Sequence, residues 1–319
     1  MTTDAINRRL RSAPPHPTVK RLVLTDADLL IFEAINRHGP LPTHYLYEFT
    51  KHLRKDYTHL QNRLTEFYNG DDAGPFLLRP PQQFAGYEAR YQHIVYDLAP
   101  RAKDNLANRG TISSFRPRRS DPFLHQLMQA CVCASLELTA PEKGLTYISR
   151  QTIFSRLKPP LKTEESANLS IPVTGLGNDK AIVPDDLFGL KGTDGQGDWY
   201  RFFALEIDRN TESIVRKDPG QTAFGKKISG YLDVLRRQSY RKQWGIPNLS
   251  VLTVTTNPTH AMNIIEFIRK QNEPRYAERF GFIAEPSFGT NWRVPRALLK
   301  NLLFDRWKTA GASKEICRP

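Results

Sequence analysis

Three runs decide how this chain reads: IVPDDLFGL at residues 182–190, WYRFFALEID at 199–208 and GKKISGYLDVLRR at 225–237. The first two are strand-like and apolar, and each delivers carboxylates. Asp185 and Asp186 come from the first, Glu206 and Asp208 from the second. A strand repeat of two puts Phe202, Ala204, Glu206 and Asp208 on one face, and Phe203, Leu205 and Ile207 on the other. The third run is helix-like and carries Lys226, Lys227 and Tyr231. Lys227 and Tyr231 are four apart and share a helix face. Lys226 lies about 100° round the helix and reads as a phosphate contact or a solvated lysine. Acids at the end of a buried strand are costly unless they are paired or bound to a cation. The spacing predicts that Asp185, Glu206 and Asp208 converge on one cation.

Hard divalent cations take several oxygens, usually carboxylates supplemented by water and phosphate. Metal-assisted phosphodiester cleavage needs such a cation, and often a lysine to offset developing charge. The three runs contain those parts. Asp186, Asp194 and Asp198 read as acids of solvated turns. Glu212 reads equally well as an acid supporting the ligands or as a loop residue capping its turn, and Tyr231 as a packed aromatic or as a nucleophile.

Around this centre the chain is expected to be mixed α/β with a central sheet. Asp121-Pro122 suits the opening of a helix, with Asp as cap and Pro in the first turn. Its apolar face would be Phe123, Leu124, Leu127, Met128, Cys131, Val132 and Leu136. A strand is expected at 145–149, and a loop or lid over 153–178, which contains Pro159 and Pro160. Further strands at 248–255 and 280–284, and helices at 259–270 and 296–308, complete an α–β–β–β–α–β order followed by α–β–α.

Upstream, residues 1–21 read as an arm, because Pro14, Pro15 and Pro17 forbid a continuous helix. Thr25 can cap a first helix whose first turn holds Asp26 and Asp28. A second helix is expected from Thr43 to Thr50 and a third from Arg54 to Tyr68. Two strand-like runs follow, 76–79 and 91–97, then a short closing helix over 100–108. This is the order of a winged helix-turn-helix. The third helix offers Arg54, Lys55, Thr58, His59, Gln61, Asn62 and Arg63, residue types that bond phosphates and base edges. Tyr87, Arg90, Tyr91 and His93 fall in or near the wing. The same fold also serves packing or dimerisation. The polar, basic stretch GTISSFRPRRS at 110–120 reads as a connection. The expected organisation is an arm (1–21), a DNA-binding domain (22–110), a linker (111–120) and a second domain (121–319).

Composition bounds the partners. The 319 residues carry a net charge of +13 with pI near 9.7, which favours a polyanion, nucleic acid first. Basic residues recur along the chain, at Lys51–Lys55, Arg116–Arg119 and Arg236–Lys242 among others. No apolar run approaches the ~20 residues of a membrane span, and no apolar leader is visible. Cys131, Cys133 and Cys317 form no zinc or disulfide pattern. A prokaryotic cytoplasm fits best. The eight His residues include no His-x-His pair, and no GxxxxGK(S/T) or GxSxG run is present.

The strand order, Pro184-Asp185-Asp186, Glu206-Ile207-Asp208 and Lys226-Lys227 with Tyr231 together resemble the PD-(D/E)xK nuclease-like superfamily. With a winged helix-turn-helix in front, and LEIDRNTES at the exit of the second strand, the chain looks more narrowly like the replication-relaxation family of plasmid replication and mobilisation proteins. That resemblance implies a restriction-endonuclease-like second domain, an Mg²⁺ or Mn²⁺ cofactor, and double-stranded DNA as partner, single-stranded at a nick. It matches Asp185 and Glu206 to the metal-ligand positions. Asp208 stands where the motif has its lysine. Either Asp208 adds a ligand and Lys227 substitutes from the helix, giving a metal-dependent nickase, or the fold only binds DNA as a replication initiator or transcriptional regulator. A winged helix can dimerise, though no heptad run demands it.

Overall fold

Strand β8 (Gly197–Asp208) organises the second half of the molecule, and its two neighbours run in opposite senses. It pairs antiparallel with β7 (Asp186–Asp194) through a tight hairpin and parallel with β9 (Ser250–Thr255). Beyond β9 lies β10 (Phe280–Ala284), parallel to it, and beyond β7 lies the short antiparallel β4 (Thr146–Ile148). The result is a five-stranded mixed sheet of order β10-β9-β8-β7-β4. This computed structural model describes residues 10–84, 91–111, 122–157, 169–174, 181–209, 223–271, 273–288 and 293–318.

The hairpin follows from its turn chemistry. Gly197 takes φ +114°, a conformation open to glycine but strained for residues with a Cβ. Asp194 accepts the Gln196 N–H at 2.8 Å, and Asp198 is held by Thr193 at 2.6 Å and Lys191 at 2.6 Å. The alternation expected along β8 is present. Phe202 and Ala204 join a core with Ile228, Tyr231 and Leu232 of the basic helix Ala223–Arg237, and with Ile264, Ile265 and Ile268 of the helix Pro258–Lys270. On the opposite face Phe203 stacks on Phe188, and Phe188 on Tyr147, at centroid distances of 5.1 and 5.6 Å. The Pro258–Lys270 helix starts where Asn257 accepts the N–H groups of Thr259 and His260, with Pro258 in the first turn.

The expected helix over 296–308 shrinks to one turn, Asn301–Phe304. Trp307 and Lys308 are instead drawn into strand-like bridges with Lys314 and Phe282. The expected loop over 153–178 begins inside the helix Arg150–Ser155. It contains a strand, β5 (Ile171–Pro172), paired with β6 (Ala181–Ile182). The rest of that loop lies outside the described residues.

In the first half, α1 (Asp26–His38), α2 (Thr43–Thr50), α3 (Tyr57–Asn69) and α4 (Pro100–Asn108) accompany a three-stranded antiparallel sheet. Its strands β1 (Leu41–Pro42), β2 (Leu77–Leu78) and β3 (Val95–Leu98) stand in the order β1-β3-β2. Ile31, Phe32 and Ile35 of α1, Tyr45 and Leu46 of α2, and Leu60, Leu64 and Phe67 of α3 are buried. Asp56 caps α3 through the His59 N–H at 2.7 Å, so the helix starts three residues later than the sequence suggested.

The chain divides into two compact units, Met1–Ala134 with Asn291–Leu298, and Ser135–Thr290 with Leu299–Pro319. The division falls within the helix Phe123–Thr139 rather than in the basic connection at 111–120. The three cysteines are buried and none is in a disulfide. Among the described residues no helix is long and apolar enough to cross a membrane.

Candidate active site

Near the C-terminal end of β8, Glu206 points to the same face as Phe202 and Ala204, beneath the basic helix. It is 3% exposed. A carboxylate there must be answered by donors, and two arrive from one face of that helix. Lys227 donates to Oε2 and Tyr231 to Oε1. Tyr231 is itself 1% exposed, so its hydroxyl is part of the buried arrangement. The Lys227 side chain is 28% exposed and connects the site with solvent.

Asp185 stands beside this pair, just before β7 begins. Its N–H donates to the Leu205 carbonyl at 3.0 Å, and its Oδ2 accepts the Ile207 N–H at 2.7 Å. With its backbone N–H on one side of Glu206 and its carboxylate on the other, Asp185 clasps β8 and holds its charge near that of Glu206. Burial pushes the Glu206 carboxyl up to about 7; Lys227 opposes the rise, and the neighbouring Asp185 charge adds to it.

Asp208 departs from expectation. It lies on the predicted face, but its Oδ2 accepts from Thr255 at 2.8 Å and sits 3.0 Å from His260 Nε2. Both partners come from the neighbouring β9 and the helix after it, and they hold the carboxylate at the C-terminal ends of these two interior strands. Among the described residues no three His, Cys or acidic side chains come together as metal ligands. The expected three-acid set is therefore two acids, Asp185 and Glu206, with a lysine and a tyrosine. Asp186 also differs from its reading as a solvated turn acid. It is buried, 3.0 Å from Arg150, and accepts the Leu187 N–H at 2.8 Å. Lys226 is exposed on the basic helix. Glu212 lies outside the described residues.

In the first unit, the expected DNA-contacting set splits. Lys55, Thr58, His59, Gln61 and Asn62 are exposed. Arg54 and Arg63 are turned inward onto Asp28 of α1, at 2.5 and 2.8 Å, with side chains 4% and 17% exposed. Asp28 also accepts the Thr25 N–H at 2.9 Å. Burial alone would raise the Asp28 carboxyl, but the hydrogen bonds from Arg63 and Arg54 outweigh it and hold it below the usual range. Arg63 fastens α3 to α1, and Arg54 fastens the segment just before α3 to the same carboxylate. His93 accepts or donates at Tyr57 Oη, 2.9 Å away, and Tyr91 is exposed. Tyr87 and Arg90 lie outside the described residues.

Comparison with protein-family models, curated proteins and solved structures finds no match to this chain. What the site can do must come from its chemistry.

Sequence reasoning missed the partners that redirect the acids and arginines: Asp28, Arg150, Thr255 and His260. Two signals pointed to some of them. Thr25 and Asp28 have capping-box spacing, which turns Asp28 back toward the helix start. Asn257-Pro258 marks a helix N-terminus, which places His260 in a first turn beside the end of β9.

Proposed function

We propose that this is a DNA-binding protein of plasmid or mobile-element replication or mobilisation. In this reading the first unit is a winged helix-turn-helix, and the second a PD-(D/E)xK-like nuclease domain that nicks one DNA strand with Mg²⁺ or Mn²⁺. The observation that carries the reading is the Glu206 carboxylate, shared by Lys227 and Tyr231 with Asp185 fastened beside it.

A carboxylate whose proton affinity is raised by burial and by a second carboxylate beside it suits a divalent cation, and Mg²⁺ commonly takes one or two carboxylates and fills its shell with water and phosphate. Asp185 and Glu206 would hold it. Bound there, it would polarise the scissile phosphate and lower the pKa of an attacking water. The chain's own groups have separate tasks. Tyr231 fixes the rotamer of Glu206. Asp185 holds the end of β7 against β8. Lys227, reaching from the helix, replaces the ammonium that the superfamily motif puts at position 208, and offsets negative charge developing on the phosphate. Asp208, engaged by Thr255 and His260, ties the end of β8 to β9 and the helix that follows.

The DNA-binding half of the reading is supported by the order β1-β3-β2 behind α3, by the exposed Lys55, Thr58, His59, Gln61 and Asn62, and by the +13 charge. Incubation of the protein with supercoiled plasmid and Mg²⁺ or Mn²⁺ tests the whole. Conversion to open circles, abolished by Glu206→Ala, supports the nickase. Retarded but uncut plasmid, unaffected by that substitution, leaves a DNA-binding initiator or regulator on a nuclease-like fold.

A further inference from the structure

At the opposite end of β8 from Glu206, Trp199, Tyr200 and Arg201 open onto a cavity of about 780 Å³. Its other walls are residues 275–279 and the C-terminal residues 306–318. Six cationic side chains line it, Arg201, Arg275, Arg279, Arg306, Lys314 and Arg318, against two carboxylates, Glu278 and Glu315. Only Arg318 is ion-paired among the described residues, to Glu315 at 3.0 Å. The remaining polar contacts are to backbone carbonyls: Arg201 donates to Arg318, Lys314 to Glu278 and Arg306 to Ser313. Carbonyls orient these cations without neutralising them.

The cluster is therefore strained electrostatically. Burial first, and then the nearby Arg201 and Arg279, lower the Lys314 ammonium to about 8. Arg201 is lowered in the same way, by burial and then by Arg279. Like charges are gathered here at a cost that a bound anion relieves. The aromatic side is also built. A Cβ at Gly192 would come within 2.3 Å of the Trp199 indole, so the absent side chain gives the ring its seat. Tyr200 is 37% exposed at the same mouth.

Oriented cations beside an aromatic wall are the chemistry that takes a nucleotide by its phosphate and its base together. We propose that this cleft binds a single nucleic-acid strand, its phosphates on Arg201, Arg279 and Lys314 and a base against Trp199 or Tyr200. The assignment goes beyond the nickase reading and stands without it, because no residue is shared with the acid site.

The test is fluorescence anisotropy of the full chain with a labelled short thymidine oligonucleotide, in EDTA, over a salt series. Arg275 and Arg279 are exposed, so Arg279→Gln and Arg275→Gln should fold normally; circular dichroism checks this. Arg279→Gln is expected to weaken binding roughly tenfold, as loss of a charge-assisted contact does. It should also reduce the salt slope by about 0.7, the value of one phosphate contact on a single strand. Lys270→Ala, an exposed cation elsewhere on the unit, should change neither. Competition then separates the sources of the phosphate. Displacement by unlabelled oligonucleotide but not by thymidine monophosphate assigns a strand, and equal displacement by both assigns a free nucleotide to the same cleft and overturns the strand. Folded Arg279→Gln and Arg275→Gln proteins that bind with the affinity and salt slope of the unaltered chain would overturn the proposal, whether or not plasmid is nicked.

Discussion

Lys227 reaches from its helix to the Glu206 carboxylate on β8, so the charge of the strand acid is answered from a different element. The contact is made by a partly exposed ammonium on a carboxylate almost closed to solvent. Removing the ammonium should therefore do more than remove a charge: Glu206 would be left buried with only the Tyr231 hydroxyl. Lys227→Met is expected to lower plasmid nicking by about 100-fold or more while leaving retardation of the same plasmid within about twofold. Parallel nicking and gel-shift titrations check this.

Tyr231 should behave differently. Its hydroxyl is buried and donated to Glu206, which makes it a positioning residue. Tyr231→Phe is expected to slow nicking by about tenfold, the scale of one lost neutral-to-charged hydrogen bond. No covalent protein–DNA adduct should form. A denaturing gel of the unaltered protein after reaction with end-labelled DNA checks the second point; label migrating with the protein would return Tyr231 to the role of nucleophile.

The raised Glu206 carboxyl predicts a pH dependence of stability. Its folded value, about 7, lies above the ordinary 4.5, so the folded state holds the proton more tightly. The stabilisation is full below about pH 4.5 and is lost as pH rises through about 7. At about 1.36 kcal/mol per pH unit the loss is on the order of 3 kcal/mol. Glu206→Gln keeps the shape without the titration. Its urea midpoint should be flatter than that of the unaltered chain between pH 5 and 8 and should exceed it at the alkaline end. Parallel pH curves for the two proteins would contradict the assignment.

Much of the second unit was legible because β8 repeats with a period of two and its partners are apolar. Phe202, Ala204 and Glu206 fall on the predicted face, and β10 spans the predicted residues. The fates of the polar side chains were less legible, since each depends on a partner distant in sequence. Asp208 is claimed by His260, Asp186 by Arg150, and Arg54 and Arg63 by Asp28. Periodicity gives the face on which a charge stands. It does not say which opposite charge the fold will bring to it, and that decides whether the group is structural or free to meet a ligand.

The same distinction separates two kinds of variant in the first unit. Asp28→Asn leaves the Arg54 and Arg63 guanidiniums in place without their carboxylate. It should destabilise the first unit by about 3 kcal/mol, as breaking a buried pair does. Gln61→Ala and Asn62→Ala touch exposed positions. They should leave the melting temperature unchanged and weaken specific duplex binding by about 1–3 kcal/mol each if they meet base edges. Thermal melts and binding titrations on the same preparations check both.

The central claim is that Asp185 and Glu206, without Asp208, hold a divalent cation. Titration of Mn²⁺ into the full chain, followed by the electron paramagnetic resonance of the free ion, tests it most directly. One site should appear at neutral pH, be lost in Asp185→Asn and Glu206→Gln, and persist in Asp208→Asn. A site that survives Glu206→Gln but disappears in Asp208→Asn, or no Mn²⁺ site in the unaltered chain, would contradict the account.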